Sequence, residues 1–259
     1  MEEKSILICS DSLEGIFTGV YDGWTLGNQG RQVEICVEPP AQSQLFAQYQ
    51  TVETDEEKAG KVTRTICRSL GRQTYEQICY AAHSVEEDKG TCIYYALREG
   101  LAGGKADPDA LQNLKNPYIL RLAGMRLAVW HEMHRFLGFV RFREIKDKIL
   151  LSVISPDNPV LPLLGPHFAD RLPGENWIIY DEKRQDALVH PAGKPWHIRR
   201  QAPLEERWMK GELVEEYAAL WKGFCRSVSV SERENPKAQR QNLPHKYRKH
   251  MTEFGENHY

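Results

Sequence analysis

The sequence predicts an α+β fold, and three observations indicate it. Apolar runs at residues 5 to 9 and 33 to 37 flank a helical pattern, which predicts a β-α-β opening. From about residue 55 to residue 137, apolar positions recur almost only at helical spacing. After Gly138 the period shortens to two, which predicts a small, mainly antiparallel sheet in the order β-β-α-β-β, followed by C-terminal helices.

These patterns divide the chain into two predicted regions. Residues 1–137 form a β-α-β and helical lobe, and residues 138–259 form an antiparallel sheet lobe with a C-terminal helix and a basic tail. The length of 259 residues also suits one large domain, so a single compact domain is the alternative.

The composition excludes several classes of protein. Hydrophobic residues make up 41% and charged residues 27%, values typical of a globular chain rather than a disordered, collagenous or membrane-bundle one. The N-terminus, Met1 to Lys4, lacks the basic-then-apolar order of a signal peptide, and no apolar run reaches membrane-spanning length, so we expect a cytoplasmic protein. The cysteines stand singly, without C-x-x-C spacing, so we expect no metal and no cofactor.

Capping and turn residues place the individual elements. Asp11 or Ser12 caps the first helix, and Pro117 opens the longest one. In the second region we predict a strand over residues 139 to 143, a turn at 146 to 148 and a strand over 149 to 154. Asn158 then caps a short helix that breaks at Gly165-Pro166. Two further strands, at 177 to 180 and 187 to 189, precede a helix over 204 to 225.

Charge is distributed unevenly along the chain. Up to Tyr118 there are 11 Lys and Arg against 18 Asp and Glu, a formal charge of −7, whereas the remainder has 23 against 18, or +5. From Arg233 to His250 there are six Lys and Arg against Glu234 alone. Such clustering indicates either an anionic partner or a solvated tail.

Few motifs indicate catalysis. The run from Gly100 to Lys105 lacks the spacing of a phosphate-binding loop, and His131 with His134 lacks the spacing of a zinc protease. There is no G-x-S-x-G elbow. Carboxylates and histidines remain as acid-base candidates if they converge, and we take His134, His167, Asp170 and Asp181 as the candidate catalytic residues.

The most unusual local feature is the run from His134 to Arg143. In a strand, Phe139, Arg141 and Arg143 would share one face, which suits phosphate pairing and base stacking; a half-buried strand with solvated arginines is the alternative. Arg171 and Arg184 belong to the same predicted sheet region. If this region binds an anion, we expect these four arginines to cluster around one concave surface.

Longer blocks of sequence resemble a known bacterial family. They are Tyr21-Asp22-Gly23, the run from His134 through Gly138-Phe139-Val140-Arg141-Phe142, residues 161 to 171 (LPLLGPHFADR), residues 176 to 181 (NWIIYD) with Arg184, and residues 233 to 241 (RENPKAQRQ) with Pro244 and Tyr247. The chain is similar along nearly its whole length to a family described as probable DNA metabolism or repair proteins. The resemblance implies a gene neighbour of the radical-SAM class, and in some relatives fusion to a uracil-DNA glycosylase-like domain. It implies no catalytic residues.

Charge pattern and resemblance together favour a DNA-binding accessory protein that positions nucleic acid for a partner, a suspected radical-SAM enzyme. Two alternatives stand beside it: an enzyme that processes damaged nucleotides, and a protein-interaction scaffold without DNA contact. The predicted nucleic-acid-binding residues are Arg135, Phe139, Arg141, Arg143, Arg171, Arg184, Arg233, Lys237, Arg240, Gln241, Lys246, Tyr247 and Arg248.

Overall fold

A computed structural model describes residues 4–42, 44–102, 106–145, 148–203 and 235–254. The mixed helix and strand content confirms the predicted α+β class. The chain divides into two compact units, Met1–His131 and Glu132–Tyr259. The predicted helix over residues 204 to 225 and the candidate Arg233 lie outside the described residues.

The first unit is built on a three-stranded parallel sheet. Its elements are β1 (Lys4–Ile8), α1 (Leu13–Asn28), β2 (Gln32–Cys36), β3 (Ala47–Thr51), α2 (Glu56–Ser69), α3 (Arg72–Ala82), α4 (Lys89–Gly100) and the larger part of α5 (Pro117–Phe139). Strand β1 is central, in the order β2-β1-β3, and pairs in parallel with both neighbours. The predicted β-α-β opening is therefore confirmed, and its two strands are parallel.

Local sequence accounts for the helices of this unit. Ser12 is the N-cap of α1, and its side chain accepts a hydrogen bond from the N–H of Gly15 at 3.0 Å. Asp55 caps α2 in the same way. Strand β3 was not predicted, because its polar sequence, Ala-Gln-Tyr-Gln-Thr, is mostly exposed at the sheet edge and has no apolar alternation.

The second unit carries a five-stranded sheet. Its described elements after the end of α5 are β4 (Arg143–Ile145), β5 (Ile149–Ile154), α6 (Leu161–Arg171), β6 (Trp177–Asp181), β7 (Asp186–His190), β8 (His197–Arg199), α7 (Pro236–Asn242) and α8 (His245–Arg248). The strands lie in chain order. All neighbours are antiparallel except β5 and β6, which are parallel and joined through α6. The predicted β-β-α-β-β order is confirmed, with β8 added.

The predicted strand over residues 139 to 143 is wrong. Helix α5 continues to Phe139, the N–H of Val140 still bonds the carbonyl of Phe136, and strand β4 begins only at Arg143. The rings of Phe136 and Phe139, three residues apart on the helix, both pack on the ring of Tyr247, at centroid distances of 5.0 and 5.3 Å. Long-range aromatic packing thus keeps helical a segment whose local pattern alternates.

The predicted helix break at Gly165-Pro166 is also wrong. Helix α6 runs through Pro166 to Arg171. Leu164 and Phe168, on either side of the proline, are both buried, so packing of both turns outweighs the hydrogen bond that proline cannot donate. In the described part of the chain, no helix combines the length and apolar content needed to cross a bilayer.

Candidate functional site

The parallel pair of the second unit brings two loops together. Ile154, the last residue of β5, pairs with Asp181, the last residue of β6. The residues that follow, from Ser155 in one loop and from Glu182 in the other, therefore lie at the same edge of the sheet. In sheets with parallel strands, ligands bind at this carboxyl edge.

Buried Glu132 positions the loop after β5. Its carboxylate accepts hydrogen bonds from the backbone N–H groups of Asp157 at 2.9 Å and Asn158 at 2.8 Å, and from the Asn158 side-chain amide at 2.8 Å. It also forms an ion pair with the ammonium group of Lys246, at 3.1 Å. One carboxylate thus fixes a loop of the sheet and a side chain of α8.

Asp181, a catalytic candidate from the sequence, holds the turn after β6. It is fully buried, and its Oδ1 accepts the backbone N–H groups of Lys183 at 3.0 Å and Arg184 at 3.3 Å. Its Oδ2 pairs with the Arg184 guanidinium at 3.0 Å. That guanidinium also donates to the carbonyls of Pro156 and Asp157, so it joins the two loops.

Three lysines surround a depression above these loops. We call it the lysine depression; its volume is about 460 Å³. It is lined by Ser155, Asp157, Glu182, Lys183, His245, Lys246 and Lys249. The side chains of the three lysines are 49%, 41% and 56% exposed, in chain order.

Carboxylates bridge the lysines. Asp157 accepts Lys183 at 2.6 Å through one oxygen and Lys246 through the other. These two hydrogen bonds lower the pKa of Asp157, although partial burial opposes them. Partial burial alone would lower the pKa of Lys246, but its hydrogen bonds to Asp157 and Glu132 outweigh this effect and raise it. Asp157 and Lys246 therefore both stay charged across the neutral range.

Beside the depression, Ser155 links a histidine and a glutamate. Its hydroxyl lies 2.7 Å from Nε2 of His250 and donates to Glu182. Burial lowers the pKa of His250, although Glu182, 3.4 Å away, opposes this. Burial would raise the pKa of Glu182, but hydrogen bonds from Lys249 and Ser155 outweigh it and lower that pKa. The arrangement favours a neutral imidazole beside an ionised carboxylate.

The four predicted arginines lie in different segments of the second unit. Arg171 is exposed at the C-terminal end of α6, whereas Arg184 follows β6 and pairs with Asp181. Arg141 pairs with Glu253 at 2.9 Å and donates to the Gly138 carbonyl at 2.7 Å. Arg143 is half-buried on β4, and burial lowers its pKa. A single concave surface shared by the four arginines therefore stays a prediction.

The predicted stacking groups lie within the fold. Tyr247 is 4% exposed and packs on Phe136 and Phe139, while the Arg135 guanidinium lies 5.9 Å from its ring centroid. Arg248 lies over the ring of Phe254 and donates to the Leu243 carbonyl. These aromatic and cationic side chains anchor α8 within the second unit.

The remaining predicted residues lie on helices. His134 is exposed on α5; His167 is half-buried and Asp170 exposed on α6. The described contacts connect none of these three with Asp181. Three predicted nucleic-acid-binding residues, Lys237, Arg240 and Gln241, are exposed on α7.

Sequence reasoning missed four residues that line the depression and two that contact its lining. The four are Ser155, Glu182, His245 and Lys249, and the two are Glu132 and His250. The parallel pairing of β5 and β6 would have pointed to the loops that begin at Ser155 and Glu182, because it brings their carboxyl ends together. The sequence predicted a mainly antiparallel sheet and gave no sign of which pair is parallel.

Two features of the described residues concern metal ligands and thiols. In that part of the chain, no three His, Cys, Asp or Glu side chains are arranged to hold a metal ion. Burial raises the pKa of Cys9 to about 12, of Cys79 to about 11 and of Cys92 to about 12, so these thiols stay protonated at neutral pH.

Fold and site together define a mixed α+β protein with a lysine-rich, carboxylate-bridged depression at the carboxyl ends of two parallel strands. The chain belongs to the family DUF4130, a domain of unknown function, whose model matches residues 87–253. The matched stretch contains every residue that lines the lysine depression. No curated protein matches the chain.

Proposed function

We propose that the protein binds nucleic acid at the lysine depression and the neighbouring C-terminal segment, and positions it for a partner enzyme. The observation that carries the proposal is the convergence of three half-exposed ammonium groups. Lys183 follows β6, whereas Lys246 and Lys249 come from a segment more than 60 residues further along the chain. Lysine ammonium groups are common ligands of phosphate.

The charge of the C-terminal segment supports this proposal. Residues 235 to 254 contain five Lys and Arg and a single carboxylate, Glu253. Within this segment, α7 exposes Lys237 and Arg240. The sugar-phosphate backbone of a strand that extends from the depression along this segment would therefore contact further positive charge.

The carboxylates of the depression compete with an incoming phosphate for the lysines. A phosphate must share the lysines with Asp157 and Glu182, which already accept hydrogen bonds from them. Each ammonium carries three N–H donors, and half-exposed side chains can direct the others toward an incoming anion. Affinity at physiological salt should consequently be moderate and strongly dependent on salt.

The identity of the nucleic acid and of the partner rests on the sequence resemblance. Similarity to probable DNA metabolism or repair proteins favours DNA over RNA, and a radical-SAM protein as the partner. Co-purification of the two proteins, with and without DNA, tests the second point. A stable complex without DNA binding by the isolated chain would favour the scaffold hypothesis.

Fluorescence anisotropy with single-stranded and duplex oligonucleotides over a range of salt concentrations tests binding. We expect log K to fall linearly with log salt, and Lys183→Ala to reduce the magnitude of that slope by about 0.7 to 0.9. Lys194→Ala removes the same charge from an exposed position outside the depression and is the matched control. Equal slopes for the wild type and both variants would overturn the proposal.

A second candidate function, processing of a damaged nucleotide, is favoured by the contact of Ser155 with His250. In the structure the Ser155 hydroxyl donates to Glu182, but rotation about its C–O bond would direct the proton to Nε2 of His250, 2.7 Å away. A neutral imidazole could then accept this proton as the serine oxygen attacks an electrophile. Glu182 lies on the hydroxyl side of this pair rather than behind the imidazole, unlike the acid of a catalytic triad. Turnover of a lesion-containing oligonucleotide that Ser155→Ala abolishes, with binding retained, would support this function.

A further inference from the structure

We propose that the lysine depression holds the terminal phosphate of a nucleic-acid strand, a phosphomonoester, in preference to an internal phosphodiester. This inference rests on the proposed function and adds to it the kind of phosphate that the site selects.

The bridging carboxylates discriminate by charge. A phosphodiester and a carboxylate each carry one negative charge, so a diester that displaces Asp157 or Glu182 from a lysine gains little. A phosphomonoester carries about −1.5 to −2 at neutral pH. The lining has three lysines against two carboxylates, and buried Glu132 lies behind Lys246, so the preference depends on direct contact. A ligand of doubled charge gains about twice the Coulomb energy with each ammonium group that it touches.

The donor count fits three terminal oxygens. The three ammonium groups provide nine N–H donors. The contacts within the described residues account for four of these: one from Lys183, two from Lys246 and one from Lys249. The half-exposed ammonium groups can direct the other five toward a ligand, and a phosphomonoester presents three strong acceptor oxygens to receive them. An internal phosphodiester presents only two unesterified oxygens.

The surrounding structure holds the lysines in place. Glu132 and Asp157 orient Lys246, and Asp157 also orients Lys183. The guanidinium of Arg184, in the loop after β6, is directed at Asp181 and at backbone carbonyls and therefore supports the loops. The depression consequently binds phosphate through point charges, without the forked geometry of an arginine.

The test compares one oligonucleotide sequence with three kinds of end: a 5′-phosphate, a 3′-phosphate and hydroxyl groups only. Anisotropy at constant salt measures each affinity. We expect one terminal phosphate to tighten binding on the order of tenfold, as one additional charge-assisted hydrogen bond does. Lys249→Ala should remove this preference, whereas Lys194→Ala should keep it. Equal thermal unfolding midpoints would show that both variants fold.

Competition distinguishes a strand end from a free phosphate. Inorganic phosphate and a mononucleotide are the competitors. If either binds with the same dissociation constant as the phosphorylated oligonucleotide, the site takes free phosphate and the strand-end inference is overturned. Equal, tight and salt-sensitive binding of all three oligonucleotides would overturn this inference and leave the proposed function standing. Absence of binding to every oligonucleotide at low salt would overturn the proposed function itself.

Discussion

Replacement of Glu132 perturbs the support of the whole candidate site. In Glu132→Ala, the buried backbone N–H and side-chain amide of Asn158 and the partly buried N–H of Asp157 lose this acceptor. The loss of an acceptor costs about 1–3 kcal/mol for each buried donor. The pair with Lys246 adds little, about 0.2–1 kcal/mol, because that lysine is 41% exposed. Since such terms are not additive, we expect a total loss of about 3–5 kcal/mol.

Glutamine at position 132 separates charge from hydrogen bonding. Glu132→Gln keeps one acceptor oxygen but directs an amide NH₂ toward groups that are themselves donors. We expect roughly half the loss of the alanine variant, about 1.5–2.5 kcal/mol, from charge-assisted bonds that are weakened or lost. Both losses are large against a typical domain stability of about 5–15 kcal/mol.

Urea unfolding followed by tryptophan fluorescence measures these losses. Trp177, fully buried in the second unit, reports its unfolding, and two units can give two transitions. Glu175→Gln, at an exposed position of the same unit, is the control and should change stability by less than about 0.5 kcal/mol. A loss below about 1 kcal/mol for Glu132→Ala would refute the assigned role of Glu132.

Three further predictions address binding, pH dependence and packing. Asp157→Asn releases two lysines from a competing carboxylate and should raise oligonucleotide affinity by up to about fivefold in an anisotropy titration; weaker binding would contradict the proposed site. Because the folded-state pKa of His250 is lowered, the unfolded chain binds the proton first as pH falls. Stability should therefore decrease with acidification from the ordinary histidine pKa of about 6.5 downward, and thermal melts of His250→Gln between about pH 5 and 8 should show a smaller decrease. Gly90→Ala would place a Cβ 2.6 Å from the Ile35 carbonyl oxygen and should cost about 1–3 kcal/mol in chemical unfolding. Gly124→Ala, on an open helix surface, should instead stabilise by about 0.5–1 kcal/mol, and equal effects of the two would count against the close packing of α4 on β2.

Local patterns predicted most helices and strands of this protein. The Ser12 cap, the helical spacing of Val62 and Ile66, and the two apolar runs that became β1 and β2 each depend on neighbours along the chain. Such signals are present in the sequence because capping and one-sided burial need only residues a few positions apart.

Segments governed by distant contacts were predicted wrongly or missed. Phe139 remains helical because it packs on Tyr247, which is more than 100 residues further along the chain. The polar strand β3 forms because its backbone pairs with that of β1, and its own side chains carry no strand pattern. Local pattern carries no information about either partner.

The candidate site likewise combines features that local sequence indicates with contacts between distant residues. The sequence indicated the excess of positive charge in the second half and proposed Arg184, Lys246 and Asp181 as functional groups. It did not show that Asp181 and Arg184 are joined in a loop-supporting pair or that Glu132 supports Lys246.

By itself, the sequence determined the α+β class, the helical periodicity, the β-β-α-β-β order and the positive charge of the second half. Only the tertiary structure decided that β5 and β6 pair in parallel, and that Asp157 receives lysines 26 and 89 residues away. The physical reason is that helix period and capping depend on a few successive residues, whereas strand pairing and charge clusters depend on contacts between distant parts of the chain.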